Sequence, residues 1–255
     1  MELSFEMLAL LFILATLSGF IDAMAGGGGM ITIPALLMTG MPPAMALGTN
    51  KLQACGGSFS ASWYFLRHKA VDIKTMGLPI LLTFIGAALG TILIQKIESR
   101  VVEEFLPFLI LAIGLYFLFS PTLGEKDKHR RMGNILFAFS ACFAIGFYDG
   151  LFGPGTGSFF CLAFVALLGF NLPKATAHAK VLNFTSNATS LFFFLLGGKI
   201  IWGIGLLMMV GQLIGARMGA SLVLTKGQRL IRPMVVLMSF LLTFKMAWEQ
   251  GLLTF

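Results

Sequence analysis

Residues 25–53 read AGGGGMITIPALLMTGMPPAMALGTNKLQ, and this stretch carries the main evidence for the fold of the chain. It places four consecutive glycines before a short apolar run, and then two prolines before a second run that contains the polar element GTNKLQ. A glycine-rich break followed by a short apolar segment is typical of the discontinuous helices of membrane transporters. The stretch therefore predicts a broken membrane helix beside a polar site.

The composition of the whole chain indicates a membrane protein. Hydrophobic residues make up 57% of the 255 residues and charged residues 11%, and the mean hydropathy is +0.90. Soluble domains carry about a quarter charged residues and disordered chains are poor in aromatic residues, so both classes are excluded. The net charge of +7 comes mostly from Lys and Arg in short gaps between apolar runs. This placement indicates membrane orientation and no nucleic-acid partner.

The sequence gives no sign of a metal site or a bound cofactor. Cys55, Cys142 and Cys161 form no CxxC pair, and the three His residues form no HxxxH pair. No GxxxxGK[ST] motif for ATP binding occurs. The first apolar run follows Glu2 and Glu6 instead of a basic segment and has no cleavage site, so we expect it to be a membrane helix and not a signal peptide.

The hydropathy pattern predicts an all-α polytopic membrane protein. About 20 apolar residues span a bilayer. On that basis we expect long helices over 7–24, 45–66, 75–95, 102–121, 133–150, 175–197, 200–224 and 230–248. Two shorter apolar runs, 30–41 and 157–171, each follow a glycine-rich break.

The chain contains an internal repeat. GFIDAMAGGGG at 19–29 matches GFYDGLFGPGT at 146–156, and IGAALG at 85–90 matches IGARMG at 214–219. Between these anchors, Lys51 matches Lys180. Three anchors in the same order predict two homologous repeats, joined by a charged linker. We place the first repeat at 1–123, the linker at 124–132 and the second repeat at 133–255.

The distribution of positive charge favours inverted repeats. If the short runs do not cross the bilayer, the Lys and Arg residues near helix ends divide 8 to 6 between the two sides. If the short runs do cross, eleven lie on one side and only Lys96, Arg100 and Lys199 on the other. Because positive residues concentrate on the cytoplasmic side, we predict ten crossings, a cytoplasmic linker and both termini outside.

Two lysines are the first candidates for a substrate site. Lys51 and Lys180 occupy equivalent repeat positions inside apolar helices, where a charge is costly and usually functional. Inverted repeats place such residues around one site near the midplane. The alternative is that each lysine is an interfacial charge near a helix start. Hydrogen-bonding neighbours that we include in the candidate site are Thr49, Asn50, Gln53, His178 and Asn183.

The two glycine breaks are the second part of the candidate site. Backbone N–H groups in a glycine turn, followed by a helix N-terminus, can bind an anion. Glycine allows the positive φ and the close approach that such a turn needs. The alternative role is tight helix packing. The residues concerned are Gly26, Gly27, Gly28, Gly29, Gly153 and Gly155.

Three further charged residues have roles that the sequence leaves open. Asp22 and Asp149 each precede a glycine break by about four residues. They could pair with the lysines, cap the broken helices or carry a coupling proton. Arg217 stands where the first repeat has Ala88, and it could face the pathway or pair with a neighbouring helix or an acidic group.

The quoted stretch resembles the signature of the TauE/SafE sulfite exporter family of bacterial inner-membrane carriers. The glycine run, Pro34 in the short helix and the element Gly48-Thr49-Asn50-Lys51 carry the resemblance, with Gly48 where the family usually has Ala. GPGTG and AHAKVLN in the second repeat are similar to the same pattern. The resemblance implies transport of sulfite, a sulfonate or a related small anion.

The leading hypothesis is therefore a secondary transporter that moves a small anion across a bacterial inner membrane by alternating access, and not an enzyme. A passive anion channel is the closest alternative. A membrane-embedded enzyme, with Asp22 and Asp149 as an aspartyl dyad, is the third. The sequence leaves open whether the chain forms a homo-oligomer.

Overall fold

The computed structural model describes residues 3–97 and 129–226, and these residues form helices and short connections without a strand. The helices are α1 (Phe5–Ala25), α2 (Gly29–Leu37), α3 (Pro43–Arg67), α4 (Gly77–Ile94), α5 (Asn134–Leu151), α6 (Thr156–Leu168), α7 (Leu172–Leu196) and α8 (Trp202–Lys226). A short 3₁₀ turn, Ile73–Thr75, precedes α4, and α5 contains a π-helical turn at Ala138–Cys142. The all-helical membrane fold expected from the hydropathy pattern is confirmed.

Six of the eight predicted long helices fall within the described residues, and each is present with ends shifted by a few residues. The predicted helices at 102–121 and 230–248, and most of the linker at 124–132, lie outside the described residues. The two short runs also form helices, but they are shorter than expected, at Gly29–Leu37 and Thr156–Leu168. Each short helix begins at a glycine-rich break, as the sequence predicts.

Four of the described helices, α1, α4, α5 and α8, are long and apolar enough to cross a membrane. Large apolar side chains such as Leu10, Phe84 and Val210 are exposed on their outer faces, where a bilayer would solvate them. The 25-residue helices α3 and α7 are as long as α8 but more polar, and their polar side chains are buried. The inner faces of α3 and α7 therefore hold the polar residues of the protein interior.

Glycines bring pairs of parallel helices into close contact. A Cβ at Gly215 or Gly219 of α8 would overlap the carbonyl oxygen of Thr16 or Phe20 of α1. A Cβ at Gly86 or Gly90 of α4 would similarly overlap Phe143 O or Phe147 O of α5. The two sets of contacts correspond under the repeat offsets, so α1 packs on α8 as α5 packs on α4. This is the packing role for small residues in membrane helices.

The first helices of the two halves begin at opposite ends of the molecule. At the end where α3 leads to α4, Arg131 N donates to Leu167 O at 3.0 Å, so α5 begins and α6 ends there. At the end where α7 leads to α8, Leu11 of α1 and Leu36 of α2 form a cluster with Ile204 of α8. Each short helix therefore returns towards the end from which the preceding helix began.

Candidate functional site

A small cavity of about 20 Å³ lies in the interior of the described residues, where the two glycine breaks meet α3 and α7. By volume it can hold one or two water molecules. Its wall is built from both halves of the chain. The lining residues are Asp22, Gly26, Gly28, Gly29, Asn50, Lys51, Ala54, Gly153, Gly157, Asn183, Asn187 and Gln212.

Lys51 forms the first of two buried ion pairs beside this cavity. Its Nζ lies 2.9 Å from Asp149 Oδ1, and the exposed fractions of the two side chains are 2% and 1%. The ammonium also donates to Asn187 Oδ1 at 3.3 Å. Asp149 Oδ1 accepts a second hydrogen bond, from Thr156 Oγ1 at 2.6 Å. This pair joins α3 of the first half to α5 of the second.

Lys180, which aligns with Lys51 in the sequence, forms the second ion pair. Its Nζ lies 2.8 Å from Asp22 Oδ2, with exposed fractions of 1% for the lysine and 17% for the aspartate. Gly28 N donates to the other oxygen, Asp22 Oδ1, at 3.2 Å. This pair joins α7 of the second half to α1 of the first. The two ion pairs are thus exchanged between the halves, and together they carry no net charge.

Side chains from four helices form a hydrogen-bond network around the turn at Gly28, and both Ser18 Oγ and Thr32 Oγ1 donate to Gly28 O. Ser18 Oγ donates to Gly28 O at 2.9 Å and accepts from Gln212 Nε2 at 3.0 Å. Thr32 Oγ1 lies 2.7 Å from Asn50 Oδ1. The expectation of positive φ is wrong for Gly28, which has φ −56°, but Gly26 and Gly155 have φ +80° and +78°. Gly28 is needed instead because a Cβ would lie 2.8 Å from Asp22 Cβ.

Most of the sequence-predicted site residues meet at this cavity. Asp22, Gly26, Gly28, Gly29, Asn50, Lys51, Gly153 and Asn183 line it. The second group belongs to a glycine break or has a side chain that is hydrogen-bonded to a lining residue; it comprises Gly27, Gln53, Asp149, Gly155 and Lys180. Each half thus contributes glycines, a lysine and an aspartate to one place.

Three sequence-predicted residues lie elsewhere. Thr49 Oγ1 accepts from Ile201 N at 3.0 Å and fixes the start of α8. His178 packs against Phe164 and Phe170. Arg217 is exposed, with its guanidinium 4.6 Å from the ring centroid of Tyr64. The structure therefore places Arg217 against a neighbouring helix, one of the roles that the sequence left open.

Four lining residues are not among the sequence-predicted site residues: Ala54, Gly157, Asn187 and Gln212. Asn187 was detectable, since it lies four residues after Asn183 and seven after Lys180, on the same face of a helix. Gln212 was also detectable as a lone amide in an apolar helix. Ala54 and Gly157 carry no polar side chain that could have marked them.

The described residues hold no group of three His, Cys, Asp or Glu side chains that could bind a metal ion. The chemistry of the cavity comes from two ammonium groups, two carboxylates, four amides and the glycine turns. These groups can bind and release a small polar or charged solute. They provide no nucleophile paired with a base.

The known proteins that this chain resembles are membrane transporters, which agrees with a cavity that can bind and release a small solute. The family model "Sulfite exporter TauE/SafE" matches residues 11–246. The chain is 59% identical to a probable membrane transporter protein of Haemophilus influenzae over 98% of both chains. It is 56% identical to the probable membrane transporter protein YfcA of Escherichia coli K12, covering 96% of this chain and 91% of that protein.

A more distant relative, the probable membrane transporter protein ORF9 of a Sinorhizobium species, is 46% identical over 96% of this chain and 94% of its own length. No solved structure shows significant similarity to the chain. The family match and these relatives identify a multi-pass membrane transporter. The chain belongs to the TauE/SafE sulfite exporter family.

Proposed function

We propose that this transporter is a secondary carrier of a small anion, with sulfite or a small sulfonate as the substrate, in a bacterial inner membrane. The observation that carries the proposal is the cavity, which brings two buried lysines together with four amides and two glycine breaks. The name of the family model supports sulfite as the first candidate. A cavity of about 20 Å³ must widen to admit even sulfite, and a compact anion requires less widening than a large organic acid.

The donors around the cavity suit an oxyanion. Lys51, Asn183, Asn187 and Gln212 carry N–H donors on flexible side chains at its wall. Helix α2 begins at Gly29, and the partial positive charge of a helix N-terminus attracts anions. An oxyanion entering the cavity would thus meet hydrogen-bond donors from α2, α3, α7 and α8.

The arrangement of the halves supports alternating access. We interpret the two halves as inverted repeats because their equivalent helices begin at opposite ends and exchange equivalent contacts. Carriers of this kind open one site to each side in turn by moving one repeat against the other. The Lys51–Asp149 and Lys180–Asp22 pairs connect the two halves, so the interactions that must change during such a movement lie beside the site.

Counterflow in proteoliposomes tests the proposal. Vesicles containing purified protein are loaded with unlabelled sulfite, methanesulfonate, isethionate, sulfate or acetate and diluted into the same labelled anion. A carrier for a small sulfur oxyanion should accumulate labelled sulfite or sulfonate transiently, with saturation and trans-stimulation. Uptake without saturation or trans-stimulation would indicate a passive channel instead, and no uptake of any of these anions would contradict anion transport.

A matched pair of variants ties the flux to the site. Lys51→Met removes the buried charge at the cavity and should abolish counterflow. Lys199→Met makes the same chemical change at an exposed lysine and should retain it. Equal flux in the two variants would show that the cavity is not the transport site.

A further inference from the structure

The two carboxylates beside the cavity are not equivalent. Both oxygens of Asp22 have partners, Gly28 N at 3.2 Å and Lys180 Nζ at 2.8 Å. Asp149 accepts twice through Oδ1, from Lys51 and Thr156. Its Oδ2 is buried and has no hydrogen-bond partner among the described residues. A buried carboxylate oxygen without a donor is costly in its charged form.

An anion that enters this site also needs a positive charge to balance it. Two lysines and two aspartates balance one another, so an anion that enters the cavity alone adds one uncompensated negative charge to a buried region. An unpaired buried charge is strongly unfavourable. One proton taken up with each monovalent anion would keep the site neutral.

Resting on the proposed anion transport, we propose that Asp149 is the proton-coupling residue of the carrier. A proton from the cavity passes Lys51, binds the Asp149 carboxylate and forms the neutral acid, while Lys51 keeps its own charge. Lys51 then loses its counter-charge and becomes free to bind the substrate anion. After the site opens to the other side, the anion leaves, the proton leaves Asp149, and the Lys51–Asp149 pair forms again. One proton and one monovalent anion thus move together, without net charge movement.

The surroundings of Asp149 contain few other groups that could take this role. Helix α4, which packs along α5, carries no titratable side chain in its described length. The hydroxyl of Tyr148 donates a hydrogen bond to Pro154 O at 2.6 Å. The helices α3, α5, α6 and α7 around Asp149 carry other titratable or charged groups, and Asp22 of α1 lies beside the same cavity; those on the four helices are Lys51, Cys55, Tyr64, Arg67, Cys142, Tyr148, Cys161, Lys174, His178 and Lys180. The two lysines are engaged in ion pairs and Asp22 has both oxygens bonded, so Asp149 is the carboxylate best placed to take the proton.

A pH gradient across proteoliposomes tests the coupling with methanesulfonate, whose charge does not change over the working pH range. With the membrane potential held at zero, one pH unit, acid outside, should drive about tenfold accumulation of labelled methanesulfonate. A membrane potential without a pH gradient should drive none. Accumulation that follows the potential and ignores the pH gradient would overturn the proposal.

Two variants test whether the coupled proton binds Asp149 or Asp22. Asp149→Asn imitates the protonated acid, so it should still exchange methanesulfonate at a reduced rate but lose all accumulation driven by the pH gradient. Asp22→Asn should keep the response to pH in whatever transport remains. A pH response in Asp149→Asn, or its loss only in Asp22→Asn, would overturn the assignment. Failure of the wild type to exchange any anion of the panel would instead contradict the proposed function.

Infrared spectroscopy decides the question even if methanesulfonate is not carried or Asp149→Asn does not fold. The chain has four aspartates, Asp22, Asp72, Asp127 and Asp149. In protein labelled with ¹³C-aspartate, acidification should produce a C=O stretch at the frequency of a buried carboxylic acid. The band should persist in Asp22→Asn, whereas Asp72 is exposed and would absorb as a hydrated acid. Absence of the band in the wild type, or its loss in Asp22→Asn, would overturn the proposal.

Discussion

Lys51 and Lys180 show how a single residue position can be identified from the sequence while its contacts cannot. The repeat offset identified them as equivalent, and the structure places both beside one cavity. The sequence offered pairing with Asp22 and Asp149 as one of several roles, because an offset gives equivalence and not distance. The exchange of partners between the halves appears only when the helices are packed. The conformation of Gly28 was also hidden, since a glycine run does not show which member takes a positive φ.

Loss of either lysine from the buried ion pairs should lower the stability of the folded protein. Lys51→Met leaves the 1%-exposed Asp149 without its counter-charge, which should destabilise the protein by about 3–5 kcal/mol. Lys180→Met should cost less, because Asp22 is 17% exposed and water can solvate its charge. Thermal unfolding of the purified variants measures both effects. Adding Asp149→Asn to Lys51→Met should restore much of the loss, and an unchanged melting temperature in Lys51→Met would contradict the pairing.

The glycine break makes a prediction about transport. Gly28→Ala places a Cβ 2.8 Å from both Asp22 Cβ and Ser18 Oγ, so it should displace the carboxylate. Anion counterflow should fall by about 5- to 150-fold, which corresponds to a cost of about 1–3 kcal/mol for overpacking. Gly27→Ala is the control, since its Cβ would meet only Met30 Sδ at 4.0 Å. The control should transport at nearly the parent rate. Equal rates in the two variants would show that Gly28 has no special role.

Among the helices, the hydropathy pattern located the long ones but gave no further distinction between them. The six predicted long helices within the described residues are all present, because an apolar run of this length has few other stable forms in a bilayer. The polar residues of α3 and α7 gave the position of the site. The π-helical turn at Ala138–Cys142 had no signal in the sequence, since it changes the backbone ladder and not the hydropathy pattern.

Helix contacts make a prediction about folding. Gly215→Ala places a Cβ against Thr16 O of α1, which should separate α1 from α8 and destabilise the protein by more than about 1–3 kcal/mol, the usual cost of overpacking a core. Gly203→Ala on the same helix has nothing within 4 Å of its Cβ and should be neutral or slightly stabilising. Thermal unfolding compares the two variants. A stable Gly215→Ala protein would mean that α1 and α8 are not in close contact.

For the molecule as a whole, the positive charges and the repeat offsets predict ten membrane crossings with a cytoplasmic linker. The described helices show which ends lie together, but only the positive charges favour one side as cytoplasmic. A reporter fused after Phe255 should therefore be active outside the cytoplasm, and one inserted near Lys128 should be active inside. Activity of both reporters on the cytoplasmic side would contradict the inverted arrangement.

In the proposed mechanism, one cavity between the two halves is reached from each side of the membrane in turn. Ala54 tests it, because it lines the cavity and corresponds to Asn183 in the second repeat. In a protein whose three native cysteines are replaced, Ala54→Cys is exposed to a membrane-impermeant thiol reagent from one side of the vesicle and then, separately, from the other. We predict modification from both sides, slowed in each case by the transported anion. Modification from neither side, or modification that the anion does not slow, would contradict the claim.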